Sequence, residues 1–519
     1  MSHESFQKAI FKEPDDDAIR LIYADWLDEN GEPLWAELIR VQCEIATLTP
    51  ASDQFVGLKE REKELEWLLS DRSLTPEMDF DPEELDLASC QTLSHERGFP
   101  DSLYVEQPEP DDDSRERMHR ICDRLESLIE HSAIQEVRFD DFHPDQIAVL
   151  FQRSLLRSIR GLSIASYYYG DDDEEGDEVD TRADDEAELI AKSHLLSRLR
   201  SLRLTAALSD HGLQALANAS QLKRLESLSL SPSFATSIGY RELARSPLSK
   251  QIRRLLLDSG PLDSAEVQAL TSEVWPELYS LTLPYFNLTA QGIQSLARSD
   301  AFPNLVELDL HLNHIGPKEV ASLLENESWQ LRSLDLSYCD LRSAGARSLA
   351  RSPFVGQLRS LNLSSNSIGV QGVESLMKSR TLVHLRHLNL SYNRITGDKL
   401  MSLTKGEVGQ QLTGLELRTY DDIPSVAEGT AFIRALDLPR IRHLSLSGNP
   451  LGSRGVQALV NKEWFQNIRI LDLSSCRIGK AGAEALLEAL DPSTMVQIDL
   501  SDNRIPRTIR QQFKERFWH

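Results

Sequence analysis

The segment that decides the fold reads LRSLNLSSNSIGVQGVESL at residues 358–376, and it returns as IRHLSLSGNPLGSRGVQAL at 441–459 and as IRILDLSSCRIGKAGAEAL at 468–486. Its opening LxxLxL frame recurs at intervals of 26 or 27 residues, with one interval of 29 after Leu412. The twelve copies of the frame start at Leu199, Leu225, Ile252, Leu278, Leu305, Leu331, Leu358, Leu385, Leu412, Ile441, Ile468 and Met495. A fixed period of this kind indicates a repeat architecture, in which each copy builds one structural unit.

Each copy combines a strand pattern with a helix pattern. Alternating leucines predict a short strand, whereas apolar pairs such as Val373 and Leu376 have the i, i+3 spacing of a helix. One strand and one helix cannot bury their own leucines, so neighbouring copies must stack. Because strands pack ~4.8 Å apart and helices ~8–10 Å apart, the stack must curve with its strands inside. The sequence therefore predicts an α/β fold, a curved solenoid with parallel strands on the concave side and helices on the convex side.

Asparagine, cysteine and glycine recur at fixed positions between these elements. A short amide can satisfy backbone groups of the turn that leaves each strand, and it occurs at one fixed offset in Asn313, Asn366, Asn393, Asn449 and Asn503. Cys339 and Cys476 occupy the same offset, and we interpret them as small structural side chains rather than as reactive thiols. Glycines mark positions where backbones come close, at Gly212, Gly292, Gly345, Gly372, Gly455 and Gly482.

This repeat resembles the leucine-rich repeat family, in particular its ribonuclease-inhibitor-like class with the frame LxxLxLxxN/CxLGxxGxxxL. The resemblance is specific over residues 199–519, and degenerate copies at Ile134 and Ile159 extend it upstream. We predict a solenoid over 99–519 whose open end is closed by a capping helix at about 505–519. The resemblance implies a curved leucine-rich-repeat scaffold that binds a protein partner.

Residues 1–72 lack the repeat and predict a small N-terminal all-α domain. Within them, residues 20–46 read RLIYADWLDENGEPLWAELIRVQCEIA, with apolar residues at helical spacing. This segment resembles the bacterial repeat-companion domain, a short module found in front of leucine-rich and other repeats. That family has no firmly established activity, so the resemblance implies an architecture rather than a function. Residues 73–98, which contain two prolines and seven acids, are predicted to be an acidic connector.

The overall charge argues against two classes of partner. The 519 residues carry 56 Lys and Arg against 82 Asp and Glu, a formal charge of −26. Because nucleic acids and anionic membranes attract clustered positive charge, we expect neither as a partner. The N-terminus lacks the apolar core of a signal peptide, and no window approaches the ~18–20 apolar residues of a membrane span. Five widely spaced cysteines favour a reducing setting, which predicts a cytoplasmic location.

The sequence lacks the common fingerprints GxxxxGK[ST], HExxH, GxSxG and GxGxxG, so we predict no enzyme activity and no cofactor. His387 and His443 share one strand position, two repeats apart with Gly414 between them, and at ~9–10 Å they are predicted to be too distant to share a metal ion. An acidic insertion at 168–188 begins like a calcium loop, but Arg182 stands where a bidentate Glu is required. We interpret the insertion as a solvated, disordered loop, with attraction of a basic partner as the alternative.

Two rows on the predicted concave side and its rim are candidates for partner binding. Positions are counted from the first residue of each LxxLxL copy, so that Asp309 is the fifth residue of the copy that starts at Leu305. The fifth position carries mainly Asp, Asn and Glu. The eighth position, where the chain leaves the strand, carries three tyrosines and a leucine. Acids complement a basic protein surface, and aromatic residues dominate the binding energy of many interfaces. The predicted site comprises Tyr285, Asp309, His311, Leu312, Asp335, Tyr338, Asn362, Asn389, Tyr392, Glu416 and Arg418. The alternative, that both rows are ordinary consensus and rim residues, stays open.

These observations predict a monomeric, non-catalytic scaffold that binds a protein through the concave face and the strand-exit rim. One alternative is a regulator of an enzyme, such as a GTPase-activating or inhibitor-type leucine-rich-repeat protein. Another is a structural scaffold that assembles with itself. The alternatives differ measurably, because the first changes a GTPase turnover rate and the second changes the light scattering of the purified protein.

Overall fold

The computed structural model describes residues 3–12, 17–48, 53–69, 89–96, 99–106, 114–130, 134–140, 142, 144–165, 182–258, 260, 262–285, 288–326, 328–395, 406–419, 425–492 and 494–517. The chain forms two compact units. The first comprises Met1–Pro261, Ala265–Thr282 and Asp300–Asn304, and the second comprises Leu262–Ser264, Leu283–Ser299 and Leu305–His519. Most of the predicted connector and residues 168–181 of the predicted acidic insertion lie outside the described residues.

The first unit begins with helices α1 His3–Lys12, α2 Asp17–Glu29, α3 Pro33–Thr47 and α4 Asp53–Leu68. Pro33 suits the start of α3, because the first N–H of a helix has no intrahelical partner. The helices share an apolar core that includes the fully buried Tyr23, Leu27 and Ile39. The predicted N-terminal all-α fold is confirmed.

The strands that the structure describes in the first unit follow one another in chain order. They are β1 Ser89–Glu96, β2 Phe99–Glu106, β3 Glu136–Asp140, β4 Gly161–Ala165, β5 Ser201–Ser209, β6 Ser227–Phe234, β7 Arg254–Leu257 and β8 Ser280–Thr282. β1 pairs with β2 antiparallel, and each later strand pairs parallel with the one before it. Strand β1 therefore lies within 73–98, the segment predicted to be a connector.

The connecting helices of this region are α5 Ser114–Glu130, α6 Pro144–Leu150, α7 Arg182–Lys192, α8 Asp210–Ala217, α9 Ser237–Arg245 and α10 Ser264–Leu270. Residues 182–188 were predicted to be part of a disordered insertion, but they form the first turns of α7. Asp184 is buried there and accepts hydrogen bonds from the backbone N–H groups of Ser209 and Gly212, both at 3.0 Å. The prediction was wrong at this point because the acid holds the start of the next helix instead of facing water.

The second unit is an open curved sheet of short parallel strands with helices between them. The strands are β9 Glu307–Asp309, β10 Ser333–Asp335, β11 Ser360–Asn362, β12 His387–Asn389, β13 Gly414–Glu416, β14 His443–Ser445, β15 Ile470–Asp472 and β16 Gln497–Asp499. The helices are α11 Ala290–Ala297, α12 Pro317–Leu323, α13 Arg342–Arg351, α14 Gly369–Met377, α15 Glu407–Gln411, α16 Val426–Ala435, α17 Gly452–Val460, α18 Lys480–Ala489 and α19 Arg507–Phe517. No helix in the described ranges is both long enough and apolar enough to cross a bilayer.

The leucine frame places these strands correctly. Each of the twelve predicted frame starts is followed, two residues later, by the first residue of a strand from β5 to β16. The alternating leucines face the core, as Leu361 and Leu363 show with at most 1% exposure. The predicted C-terminal helix forms as α19, and it buries Ile509 and Phe513. The fold class predicted from the repeat is therefore confirmed.

The amide row forms the predicted network between copies. The side-chain Nδ2 of Asn366 donates to the carbonyl oxygens of Leu336 at 2.6 Å and Ser364 at 3.0 Å. Its Oδ1 accepts from the backbone N–H groups of Cys339 at 3.0 Å and Leu341 at 3.1 Å. One amide therefore satisfies four buried backbone groups, three of them in the preceding copy.

The two cysteines in this row are structural, as predicted. Cys339 is fully buried, and its thiol donates to the carbonyl oxygen of Leu310 at 3.2 Å. Burial raises the pKa of Cys339 to about 12, so its thiol stays protonated at neutral pH. Cys476 is equally buried, donates to the carbonyl oxygen of Leu446 at 3.1 Å, and has its pKa raised by burial.

Candidate functional site

The candidate site lies on the strands of the second unit and on the turns that leave them. The fifth-position residues are paired directly across neighbouring strands, in the order Asp309, Asp335, Asn362, Asn389, Glu416, Ser445, Asp472 and Asp499. All of them except Asp309 line a groove with a volume of about 470 Å³ that runs from β10 to β16. The sequence frame therefore identified a real column of polar side chains.

Amides and hydroxyls interrupt the acids of this column and bind to them. Asn362 Nδ2 donates to Asp335 Oδ2 at 2.7 Å, and Asn389 Nδ2 donates to Glu416 Oε2 at 3.2 Å. The Ser445 hydroxyl donates to Asp472 Oδ2 at 2.8 Å. These bonds satisfy the carboxylates and reduce the repulsion between neighbouring like charges.

The acids also fix the strand exits. Asp335 Oδ1 accepts from the Ser337 backbone N–H at 2.8 Å and from its hydroxyl at 2.6 Å. Asp309 Oδ1 accepts from the His311 backbone N–H at 3.0 Å and lies 2.8 Å from His311 Nδ1. Burial raises the pKa of Asp309, and Asp335 adds to the rise while the bonds from His311 oppose it. A desolvated carboxylate of this kind gains most from a cationic neighbour.

Arg418, at the seventh position of the 29-residue copy, binds within the groove. Its Nε donates to the Ser445 hydroxyl at 3.1 Å and lies 4.0 Å from Glu416 Oε2. Its Nη2 lies 3.4 Å from Asp472 Oδ2. The guanidinium therefore partly offsets the charge of the acids of β13 and β15. The acids nearer β9 lack such a partner among the described ion pairs apart from His311.

The exit rim presents the predicted aromatic residues to solvent. Tyr285 is 59% exposed and Tyr338 is 54% exposed, whereas Leu312 and Tyr392 are partly exposed. The ring of Tyr285 meets the ring of His311 edge-on, with 5.9 Å between the centroids. Tyr285, His311 and Asp309 thus form one connected group. The Leu312 backbone N–H donates to the Ser337 carbonyl oxygen at 3.0 Å, which places Leu312 beside the strand exit of Tyr338.

The backbone at this rim is left-handed. The φ angle is +58° at Tyr285, +59° at Leu312, +56° at Tyr338 and +57° at Tyr392. The same frame position is also left-handed in other copies, where its residues are Ser365, Gly448, Ser475 and Asp502. A left-handed conformation costs an L-residue with a bulky side chain ~1–2 kcal/mol and costs glycine very little. Large exposed side chains at such positions point to a use outside folding.

Replacing Tyr338 by Gly tests whether the ring stabilises the fold. We expect the free energy of unfolding to change by less than ~0.5 kcal/mol, because relief of the left-handed strain offsets the loss of side-chain contacts. Tyr279 serves as a control, since it is partly buried and Arg253 lies 5.9 Å above its ring. Tyr279→Gly should cost ~1–2 kcal/mol in a urea titration. Equal losses for the two variants would show that the Tyr338 ring is structural.

The structure corrects the prediction for the two histidines. The rings of His387 and His443 lie with their centroids 5.6 Å apart, not ~9–10 Å, because the His387 ring occupies the space over Gly414, which lies between them in the sheet. They line the same groove as the acids. The signal was present in the sequence, since glycine leaves the space between two large side chains empty. Within the described residues, no group of three or more His, Cys, Asp or Glu side chains could hold a metal ion.

Comparison with known proteins identifies the repeats. Five segments match the family model described as Leucine Rich repeat, at residues 331–350, 358–377, 381–403, 439–460 and 466–487. No curated protein matches the chain. Among 149 matching chains of solved structures, one comes from the crystal structure of the Rad7 and Elc1 complex in yeast. It is 13% identical, with a TM-score of 0.42, and the match covers 74% of this chain and 87% of that chain. The C-terminal region of this protein is therefore built from leucine-rich repeats.

Proposed function

We propose that this protein is a non-catalytic scaffold that binds a protein partner through the second unit. The contact centres on an exit-rim patch, which consists of Tyr285, Asp309, His311, Leu312, Asp335 and Tyr338. The observation that carries the proposal is the left-handed backbone beneath three large side chains of this patch, of which Tyr285 and Tyr338 are more than half exposed. Leucine-rich repeats are typically interaction scaffolds rather than enzymes, which agrees with this proposal.

The chemistry of the patch favours a partner with a basic surface. Asp309 and Asp335 lie on neighbouring strands, and the pKa of Asp309 is already raised by burial and by Asp335. An arginine or lysine of a partner would relieve that repulsion. The exposed rings of Tyr285 and Tyr338 can add cation–π contacts of ~0.5–1 kcal/mol each. A net charge of −26 makes nucleic acid and anionic membranes poor competitors for the same surface.

The remaining residues of the predicted site play a supporting part in this proposal. Asn362 and Asn389 bind the neighbouring acids, whereas Glu416 and Arg418 pair within the groove. Tyr392 extends the aromatic rim beyond the patch. We infer a monomeric protein of the ribonuclease-inhibitor-like class in the cytoplasm, whose N-terminal helices act as a repeat-companion domain.

A binding measurement with matched variants tests the patch. A protein captured from cell extract by the wild-type chain is purified and titrated by calorimetry against the wild type and against the double variant Asp335→Asn/Tyr338→Ala. We expect the double variant to lower the affinity at least ~30-fold, the effect of losing a hot spot. Asp502→Ala changes the same frame position at the far end of the sheet and should leave the affinity within ~2-fold of wild type.

Two outcomes would contradict the proposal. Equal affinities for the wild type and the double variant would place the contact elsewhere on the chain. Unchanged affinity in ~0.5 M salt would rule out a basic partner surface, because screening at that ionic strength is severe. A captured GTPase whose turnover rises with the protein would favour the alternative of an enzyme regulator.

A further inference from the structure

We propose that His387 and His443 form a binding site for a divalent transition-metal ion of the zinc class. Both side chains project from the strands into the groove, with 5.6 Å between ring centroids and 51° between ring planes. This site lies on β12 and β14, whereas the acids of the exit-rim patch lie on β9 and β10. It therefore goes beyond the proposed function and does not depend on it.

Gly414 is the residue that brings the two rings together. The three residues are directly paired across β12, β13 and β14. A Cβ atom at position 414 would overlap the Nδ1 edge of His387, so this ring occupies the space that any other residue would fill. The strand β13 reads GLE, and Gly414 is buried. The spacing of the rings is thus a consequence of one missing side chain.

The observed spacing suits two imidazoles on one ion. With Zn–N bonds of ~2.0–2.1 Å and a tetrahedral angle, the two donor nitrogens lie ~3.4 Å apart and the ring centroids ~5–5.5 Å apart. The observed centroid distance of 5.6 Å is close to this range. Neutral imidazole is a preferred ligand for zinc, nickel and copper.

The surroundings favour a cation. Glu416 follows Gly414 on the same strand face, and Asp472 lies on β15 beside β14. Arg418 faces both of these acids and partly offsets their charge. Since no third His, Cys, Asp or Glu completes the set among the described residues, water would occupy the remaining coordination positions.

Calorimetric titration of the untagged full chain with zinc chloride tests the site. We expect the wild type to bind one ion that the double variant His387→Gln/His443→Gln does not bind, and each single variant to bind at least ~10-fold more weakly. His384→Gln is the matched control, because His384 is exposed and only three residues from His387, and its affinity should equal that of the wild type. Cobalt titration followed by absorbance reports the coordination independently of heat.

Gly414→Ala tests whether zinc binding depends on the spacing of the two rings, because it leaves both histidines in place. This variant keeps both histidines but fills the space between them, so we expect at least ~10-fold weaker binding with an unchanged circular dichroism spectrum. The proposal is overturned if the double variant binds zinc as the wild type does, or if Gly414→Ala retains full affinity.

Discussion

Replacing Asn366 by Ala should lower the free energy of unfolding by about 3–5 kcal/mol, a large share of the stability of an ordinary domain. The substitution removes the two hydrogen bonds that Asn366 donates to the carbonyl oxygens of Leu336 and Ser364. It also removes the oxygen that accepts from the backbone N–H groups of Cys339 and Leu341. Asn366 is 1% exposed, so water cannot replace these bonds. Each buried polar group left without a partner costs ~1–3 kcal/mol, and shared relaxation keeps the total below the simple sum.

A urea titration of the full chain measures this loss. Asn461→Ala is the matched control, since Asn461 is exposed and its Nδ2 makes one bond, to the Gln457 carbonyl oxygen at 2.7 Å. The control should cost no more than ~1 kcal/mol. Asn366→Cys should fall between the two, because a thiol at this offset donates to the preceding turn, as Cys339 and Cys476 do. If Asn366→Ala and Asn461→Ala lose the same stability, the amide network does not hold the copies together.

The parts of the fold that sequence could predict are those that depend on burial. A leucine every 26 or 27 residues has to be hidden by its neighbours, and the strands β5 to β16 begin where the frame places them. The amide row is predictable for the same reason, because a buried turn needs a partner for each backbone group. The register of the strand pairing is also predictable, because residues at the same position of successive copies pair with one another.

Predictions made from charge alone were less successful. The acids of 182–188 suggested a solvated loop, but Asp184 is 6% exposed and accepts hydrogen bonds from the next copy. Strand β1 lies in a segment rich in acids and prolines, where composition favoured a linker. An acidic side chain can be buried where backbone N–H groups donate hydrogen bonds to its carboxylate. The location of such N–H groups depends on the tertiary fold, so charge alone does not predict exposure.

The candidate site was predictable in its residue types but not in its conformations. The frame placed Asp309 and Asp335 side by side, as the paired strands show. It could not reveal the left-handed backbone under Tyr338, because tyrosine rarely adopts that region. Nor could strand spacing predict the contact of His387 with His443, since rings can lean across a glycine while their backbones stay two strands apart.

Gly448→Ala should cost about 3 kcal/mol of unfolding free energy, although it adds a single methyl group. Gly448 has φ +75°, and a Cβ there would overlap the carbonyl oxygen of Thr419. Thr419 belongs to the 29-residue copy and is not left-handed, unlike its counterparts in neighbouring copies. The longer copy therefore brings its backbone onto the next strand exit, and the Thr419 N–H donates to the Ser447 carbonyl oxygen at 3.1 Å. Moving that backbone would break this bond.

Ser475→Ala is the control for the close approach of residue 448 to the Thr419 carbonyl oxygen. Ser475 occupies the same frame position in the next copy, with φ +55°, and its existing Cβ meets no such obstacle. Its replacement keeps the left-handed strain and the Cβ atom, so we expect a change within ~0.5 kcal/mol. If Gly448→Ala loses only the ~1 kcal/mol of unfolding free energy that a left-handed alanine costs, the backbone at Thr419 moves to accommodate the new Cβ atom. A loss several times larger would show that the 29-residue copy is held rigidly against its neighbour, which requires glycine at 448.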